Sequence, residues 1–571
     1  MGLGDMLGQL DQAISSLIGQ WNGYSTAIAT AMVAIITYAI MTRVESDIHP
    51  MLLARQAQGS PVRNERESPV YRGNSAPHGM PLNSGLNVKP PGAPKWSQGR
   101  DGDLRDVWRR VISGAPAEEG RPGKGRILTV HGRENVIEHK HAEITRAINL
   151  IGQHVSAQGG SKVAIHLPNS VELMATLFAC SFYNLTAILI PFDQPEKSIV
   201  SMLQQSGADT VVTAPGAFPF DAVVKSYPAL KQLIWVVDDG NSHMDWSEVP
   251  EGTGGKVNVS TWQDILNDSP VSAGTDLPSE TDAKEPNNVV FFWVGKPGTM
   301  EEMVTFTQRN MVAAVSAQLT AVPTTQRFSP ADLFLPAASL ASSFPLTLTL
   351  AALYYNATVA FNSVAGTSPD LALATVGIAP TVMVATPQTL LKTHAEASGK
   401  ITNVISRASH WVQTRSLVQN GAMPVASFLS QYNDSIRPQV GTTPGKLRLL
   451  YVAEGVNAGT PALKESIISD LRIFTGARVI YALTAAKVAG AVTQTQFHDY
   501  RVSGDGPSHF GPPVSSVEVL LKDSGSHRTS EDGLTIEGQV VARGPAVAGP
   551  EGIADLGVLG RIREDNTLSY L

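Results

Sequence analysis

Residues 291–310 read FFWVGKPGTMEEMVTFTQRN and follow the apolar residues Val289 and Val290. A strand, a loop of small and turn-forming residues and a helix opening behind it is the layout that this stretch suggests. α/β proteins hold phosphate with that layout, because loop N–H groups and a helix N-terminus converge on anionic oxygens. Yet Glu301 and Glu302 stand side by side in the loop, where a polyphosphate needs a cation. The stretch therefore predicts an α/β fold and at the same time questions the chemistry of its own loop.

Working outward, similar strand-like runs recur: KVAIHL, TAILIPF, DTVVT, QLIWVVD, ATVAFN, TVMVATP, LRLLYVA and ARVIYAL. Helix-length segments lie between several of them, one capped by Asn169 or Ser170 and another running from Ala462 to Phe474. Such alternation predicts parallel sheets covered by helices. SVEVLLKD and EGQVVARG, separated by turn residues, predict a smaller antiparallel unit over about 515–571. The acidic, Gly-rich stretch from Asp238 to about Glu285 reads as a surface loop.

The chain has 571 residues, 43% of them hydrophobic, and a formal net charge of −7. That length supplies ample core, and the mild acidity, with no basic cluster on the long helices, gives no sign of a nucleic-acid partner, so none is expected. The single cysteine, Cys180, lies in the apolar run LFACSFY and reads as a buried small residue. There is no metal-ligand spacing and no Gly-X-Ser-X-Gly nucleophile motif. His139 and His141 are two apart, off a common helix face, and read as solvated.

The N-terminal region divides into three. Residues 1–23 carry Leu3, Leu7, Leu10, Ile14, Leu17 and Trp21 on one amphipathic face. That face suits a membrane surface, a partner helix or the leading end of the next segment. Residues 24–42 hold no charge and, at 1.5 Å per residue, would span about 28 Å, close to a hydrocarbon core of roughly 30 Å. They read as a single transmembrane anchor, a buried core helix being the alternative. Arg43, Arg55, Arg63 and Arg66 follow the span, which puts the bulk of the chain on the cytosolic side. Residues 43–104, rich in Pro, Gly, Ser and Asn, read as a flexible tether.

From about residue 105 to 571 the pieces resemble the AMP-binding, adenylate-forming family of acyl-CoA synthetases, fatty acyl-AMP ligases, luciferases and peptide-synthetase adenylation domains. The resemblance rests on KVAIHLPNSVELMATLFACSFYNLTAILIPFD, ADLFLPAASL, LRLLYVAEGVNAGTP, ARVIYALTAAKVAGAV, GQVVARGPAVAGP and DLGVLGRIREDNTLSYL, in that order. It implies a large α/β domain that uses ATP and Mg²⁺ to activate an acid. Family members carry Tyr-Thr-Ser-Gly-Thr-Thr-Gly-X-Pro-Lys-Gly followed by Thr-His-X-Asn. Here Thr307-Gln308-Arg309-Asn310 sets the register. The serine position then holds Gly295, and the Gly-Thr-Thr-Gly positions hold Lys296, Pro297, Gly298 and Thr299. Pro-Lys-Gly is replaced by Glu301, Glu302 and Met303.

The other motifs are equally altered. Tyr481 and Thr484 match the family's tyrosine and threonine, and Asp555 its ribose-binding aspartate, so these three are the expected remnants of a nucleotide site. Ala485 stands where the resemblance implies a Mg²⁺-binding glutamate, and Ser339 where it implies a histidine. The chain stops about where the family's hinge begins, so the mobile C-terminal domain with its adenylation lysine is expected to be lacking. The expectation is a catalytically inactive relative without cofactor, displayed at a membrane to bind an acyl or lipid ligand or a protein. The alternative is an active ATP- and Mg²⁺-dependent acyl-activating ligase with an atypical phosphate loop, and a purely structural adaptor is a third reading.

Overall fold

The computed structural model describes residues 15–16, 19, 21–41, 45–90, 92–94, 96–115, 123–131, 135–237, 257–279, 285–296, 298–362, 370–424, 433, 436–443, 445–504, 506–529 and 536–571. Two large sheets dominate. One runs, in spatial order, Glu302–Phe306, Val289–Trp293, Thr186–Leu189, Lys162–His166, Thr210–Thr213, Gln232–Trp235 and Asn258–Thr261. The other runs Thr493–Gln494, Arg478–Thr484, Leu449–Gly455, Val382–Ala385, Leu333–Pro336, Thr358–Phe361, Ile127–Val130 and Val136–His139. Neighbours are parallel except at the edges formed by Glu302–Phe306, Thr493–Gln494 and Val136–His139.

Parallel strands are joined by crossover helices and buried on both faces, so they read as unbroken apolar runs. TVAF (358–361) and VMVA (382–385) are buried at every position. All nine expected strand runs form strands, and the Ala462–Phe474 helix forms as Glu465–Thr475. The stretch expected to be a surface loop contributes more than that. Asn258–Thr261 adds an edge strand and Trp262 is buried in the short helix Trp262–Asn267, while 238–256 and 280–284 lie outside the described residues. His141 is half-buried with its ring edge-on to Trp108, and His139 bonds the Thr129 hydroxyl, so neither is simply solvated.

The flexible tether expected at 43–104 is corrected by the structure. The late antiparallel sheet has six strands, in the order Ala57–Gly59, Tyr71–Gly73, Glu518–Lys522, Ile536–Arg543, Ile553–Ile562 and Leu568–Tyr570. The first two come from the supposed tether. Its backbone is satisfied by the body: Ser68 N donates to Leu521 O (2.8 Å), Asn83 N to Ser515 O (2.9 Å) and Gln56 N to Asp565 O (2.9 Å). Low apolar content means that a segment cannot build a core alone, but this arm borrows one by inserting Ala57, Tyr71 and Leu86. Its glycines serve close approach; a Cβ on Gly73 would lie 2.4 Å from Pro513 O.

The membrane anchor expected at 24–42 is not supported. Gly23–Met41 is a helix of 19 residues, but among the described residues no helix is long and apolar enough to cross a membrane. Hydroxyl groups dilute its apolarity, and Thr30 bonds back to Thr26 O (2.8 Å). Most of the expected amphipathic segment 1–23 lies outside the described residues.

Two outcomes follow for the arm. Tyr71 is 4% exposed, so Tyr71→Ala should lower stability by about 3 kcal/mol in a denaturant titration, whereas a free tether would show no change. Asp499 receives Gln56 Nε2 (2.6 Å) and Arg501 Nε (2.8 Å) and Nη2 (2.7 Å). Burial alone would raise its carboxyl, but Arg501, His509 and Gln56 together hold it at about 2. With the folded value below the unfolded one, its stabilisation is present above pH 3.8 and lost as the pH falls toward about 2. Acid unfolding of Asp499→Asn should lack that component.

Candidate functional site

A crevice opens where the two parallel sheets present the carboxyl ends of Val289–Trp293, Leu333–Pro336, Val382–Ala385, Leu449–Gly455 and Arg478–Thr484. Ligands of α/β sheets bind at such ends, because helix N-termini and connecting loops gather there. The crevice holds a cavity of about 290 Å³. Phe292, Phe306, Phe344, Val384 and Pro387 form apolar walls, and Ser339, Ser342, Thr386, Thr460 and Thr484 supply hydroxyl groups. Asp193, exposed at the surface, is the one ionisable side chain lining it among the described residues; no lysine, arginine or histidine does so.

Two side chains that sequence reasoning missed set its shape. Ser170 caps the Val171–Phe182 helix, accepting from Leu173 N. Asn169, the other candidate cap, instead ties the sheets together. Its Nδ2 donates to Pro336 O (3.0 Å) and Ala338 O (2.9 Å), and its Oδ1 accepts from Leu340 N (2.9 Å). The loop carrying Ser339 is thereby fixed against the crevice. Trp293 Nε1 donates to Val456 O (3.1 Å) across the two sheets. Its ring packs on Gly455, where a Cβ would sit 3.0 Å away. Asn169 is legible in the sequence as a candidate cap, and Trp293 lies in the decisive stretch itself, but a partner across a fold has no local signal.

The phosphate-loop residues do not assemble as the resemblance implies. Trp293 pairs with Glu302, so the loop turns a hairpin into the strand Glu302–Phe306 rather than opening a helix. The helix Gln308–Thr320 starts afterwards, with Thr307 and Asn310 forming a reciprocal capping box. Thr299 spends its hydroxyl within the turn, donating to Lys296 O (2.7 Å), while Gly298 takes φ +90° and Lys296 is exposed. Pro297 lies outside the described residues. Glu302 faces Lys487 Nζ at 3.6 Å, a cation that sequence reasoning had not singled out. Neither Gly295, Lys296, Gly298, Thr299, Glu301 nor Glu302 lines the cavity.

Of the three matched residues, only Thr484 lines it, with Oγ1 donating to Glu454 O (3.0 Å). Tyr481 is 1% exposed and belongs to the core. Its hydroxyl donates to the Glu454 carboxylate and accepts from Leu463 N (3.1 Å). Burial, and then Glu454, push that hydroxyl well above the ordinary phenol range. Burial also raises the Glu454 carboxyl, against the lowering effect of the Tyr481 bond. Asp555 is exposed, bonding Gln539 Nε2 (2.5 Å) and its own turn at Gly557 N (2.8 Å). Ala485 is buried and offers no oxygen beyond its backbone.

Mg²⁺-ATP, the pair that the resemblance implies, does not fit these residues. The lysine position is an acid already facing a lysine, the Mg²⁺-ligand position is a methyl group, and the loop hydroxyl is consumed by its own turn. The strongest constraint on the crevice is testable directly. Asn169→Ala strands three buried backbone groups, which should cost about 3 kcal/mol and speed hydrogen exchange at the Leu340 amide.

The AMP-binding enzyme family model matches residues 139–549. Among solved structures, the anthranilate CoA ligase AuaEII in complex with anthranoyl-AMP aligns with a TM-score of 0.57 at 15% identity, covering 82% of this chain and 77% of that one. The inhibitor-bound N-terminal domain of FACL13 from Mycobacterium tuberculosis aligns at 0.54 and 14%, covering 82% and 99%. A benzoate CoA ligase from Burkholderia xenovorans LB400 aligns at 0.53 and 12%, covering 82% and 79%. At such identities the likeness is one of fold. No curated protein matches the sequence. The family match spans most of the chain and agrees with its two-sheet crevice: this protein belongs to the AMP-binding enzyme family.

Proposed function

We propose that this protein uses the family's crevice to bind a neutral, apolar acyl or aryl ligand and does not adenylate it. The observation that carries the proposal is the lining: aromatic and aliphatic walls, a few hydroxyl groups, and no cation among the described residues. A carboxylate or polyphosphate entering this cavity would lose water without gaining a counter-charge, which is costly in an apolar site. At about 290 Å³ the cavity is near the small end of ligand sites, which suits a compact group. Removing one transition-state donor typically costs about 3–4 kcal/mol of catalysis, and here the family's lysine is reversed in sign.

The second reading, an active ATP-dependent ligase, draws on Lys296 and Lys487, which flank the loop. Were nucleotide to part Lys487 from Glu302, both lysines would face phosphate. Calorimetry on the full chain, whose arm is part of the fold, separates the two. Millimolar ATP with or without Mg²⁺ should produce no binding heat. A medium-chain fatty alcohol should raise Tm more than the matching carboxylate, because only preferential binding to the native state raises the midpoint. Mg²⁺-dependent ATP binding would sink the proposal and establish the ligase reading.

A further inference from the structure

The helix Val404–Asn420 is built inside out. Toward the body it buries Ser406, Ser409 and Gln413 with only Leu417 beside them, while Val404 (81% exposed), Ile405 (53%), Trp411 (59%) and Val412 (44%) face solvent. Polar contacts fasten it: His410 Nε2 lies 3.0 Å from Asp470 Oδ1, and Asn433 Nδ2 donates to Ser406 O (3.3 Å). Val404 and Ile405 recur seven residues later as Trp411 and Val412, and exposed Ala408 lies three or four residues from each of them, which places all five on one stripe. A helix normally turns such a stripe inward; here, among the described residues, nothing covers it.

Charge indicates what that is. Arg407 and Arg415 are exposed on the same helix, which contains no Asp or Glu, and the Arg415 guanidinium lies 5.5 Å from the centre of the Trp411 ring. Aliphatic residues, an interfacial tryptophan and arginines that can snorkel are the composition of a helix lying on an anionic lipid surface. A second observation points the same way. The uncharged helix Gly23–Met41, with Ile28, Met32, Val33 and Ile35 exposed, ends six residues before Asp47, which meets the end of this helix. There Asp47 N donates to Gly421 O (3.0 Å) and Met423 N to Asp47 Oδ2 (3.4 Å).

We propose that the outer face of Val404–Asn420 rests on an anionic lipid bilayer, with Gly23–Met41 lying in the same interface rather than spanning it. This is independent of what the cavity holds. A folded protein partner would have to cover both apolar helices at once and supply acid for both arginines, whereas one lipid surface does all of this.

The lone native cysteine allows a local test, because Cys180 is buried and burial raises its thiol far above the reactive range. In the full chain, Val412→Cys carrying an environment-sensitive fluorophore should brighten and shift to the blue with phosphatidylcholine vesicles containing phosphatidylserine. It should be quenched by nitroxide-labelled lipid. The response should vanish in the Arg407→Glu/Arg415→Glu background and weaken with salt. A label on exposed Lys225→Cys should stay unchanged. Two results overturn the proposal. One is vesicle binding with no change at position 412, which would leave contact to the N-terminal helix alone. The other is brightening without vesicles as protein concentration rises, which would make a second copy the cover.

Discussion

A parallel sheet must be covered on both faces, and here two such sheets share the cover. Val171–Phe182 and Ser343–Tyr354 are buried at every position but Glu172 and Tyr354, and residues of these helices and of both sheets merge into one continuous core. Since the strands inside the edges of each sheet run the same way, carboxyl ends from both sheets meet along a common crevice. Asn169 and Trp293 fix its width by crossing from one sheet to the backbone at the end of the other. The cavity, its apolar walls and its hydroxyl groups all follow from that arrangement.

Set against the family's motifs, the residues that persist are those with work in the fold. Thr307 and Asn310 close a helix, and Asn310 also reaches the carbonyls of Pro545 (2.7 Å) and Val547 (3.3 Å) to hold the small β unit. Gln308, where the resemblance implies a histidine, is a changed residue that also works in the fold: it is buried and donates to Ser181 Oγ (2.9 Å) and Asn287 O (3.1 Å). Tyr481 bonds a buried carboxylate and a backbone amide. By the resemblance, the other changed residues include ones whose work would be charge: Glu302 where a lysine is implied, Ala485 where a carboxylate is and Ser339 where an imidazole is. Glu302 faces Lys487 at 3.6 Å, a half-exposed pair between the loop and the turn that follows Arg478–Thr484.

The antiparallel unit joins the two ends of the chain. Gln56 and Arg501 meet on Asp499, and Arg501 continues to Asp565 (2.7 Å), so the arm, the body and the final strands share one buried polar network. Its charges are paired and hydrogen-bonded, which is what makes their burial tolerable. The arm closes an edge of the unit that would otherwise present unpaired backbone.

Local pattern determined the strands, because a run such as TVMVATP or ARVIYAL has an unbroken apolar centre and is short enough to be nothing else in that rhythm. It determined the fold class by alternation, and, through the order of the motifs, the family. Pairing between distant residues was beyond it. The arm at 43–104 looked like coil because its core belongs to residues more than four hundred positions away. Tyr481 and Thr484 sit three apart on one strand, yet burial sends the first into the core and the second to the cavity. Val404–Asn420 carries both polar and apolar faces in its sequence, and only the tertiary structure decided that the polar face turns inward. Sequence periodicity records which residues share a face; what that face meets is settled by packing.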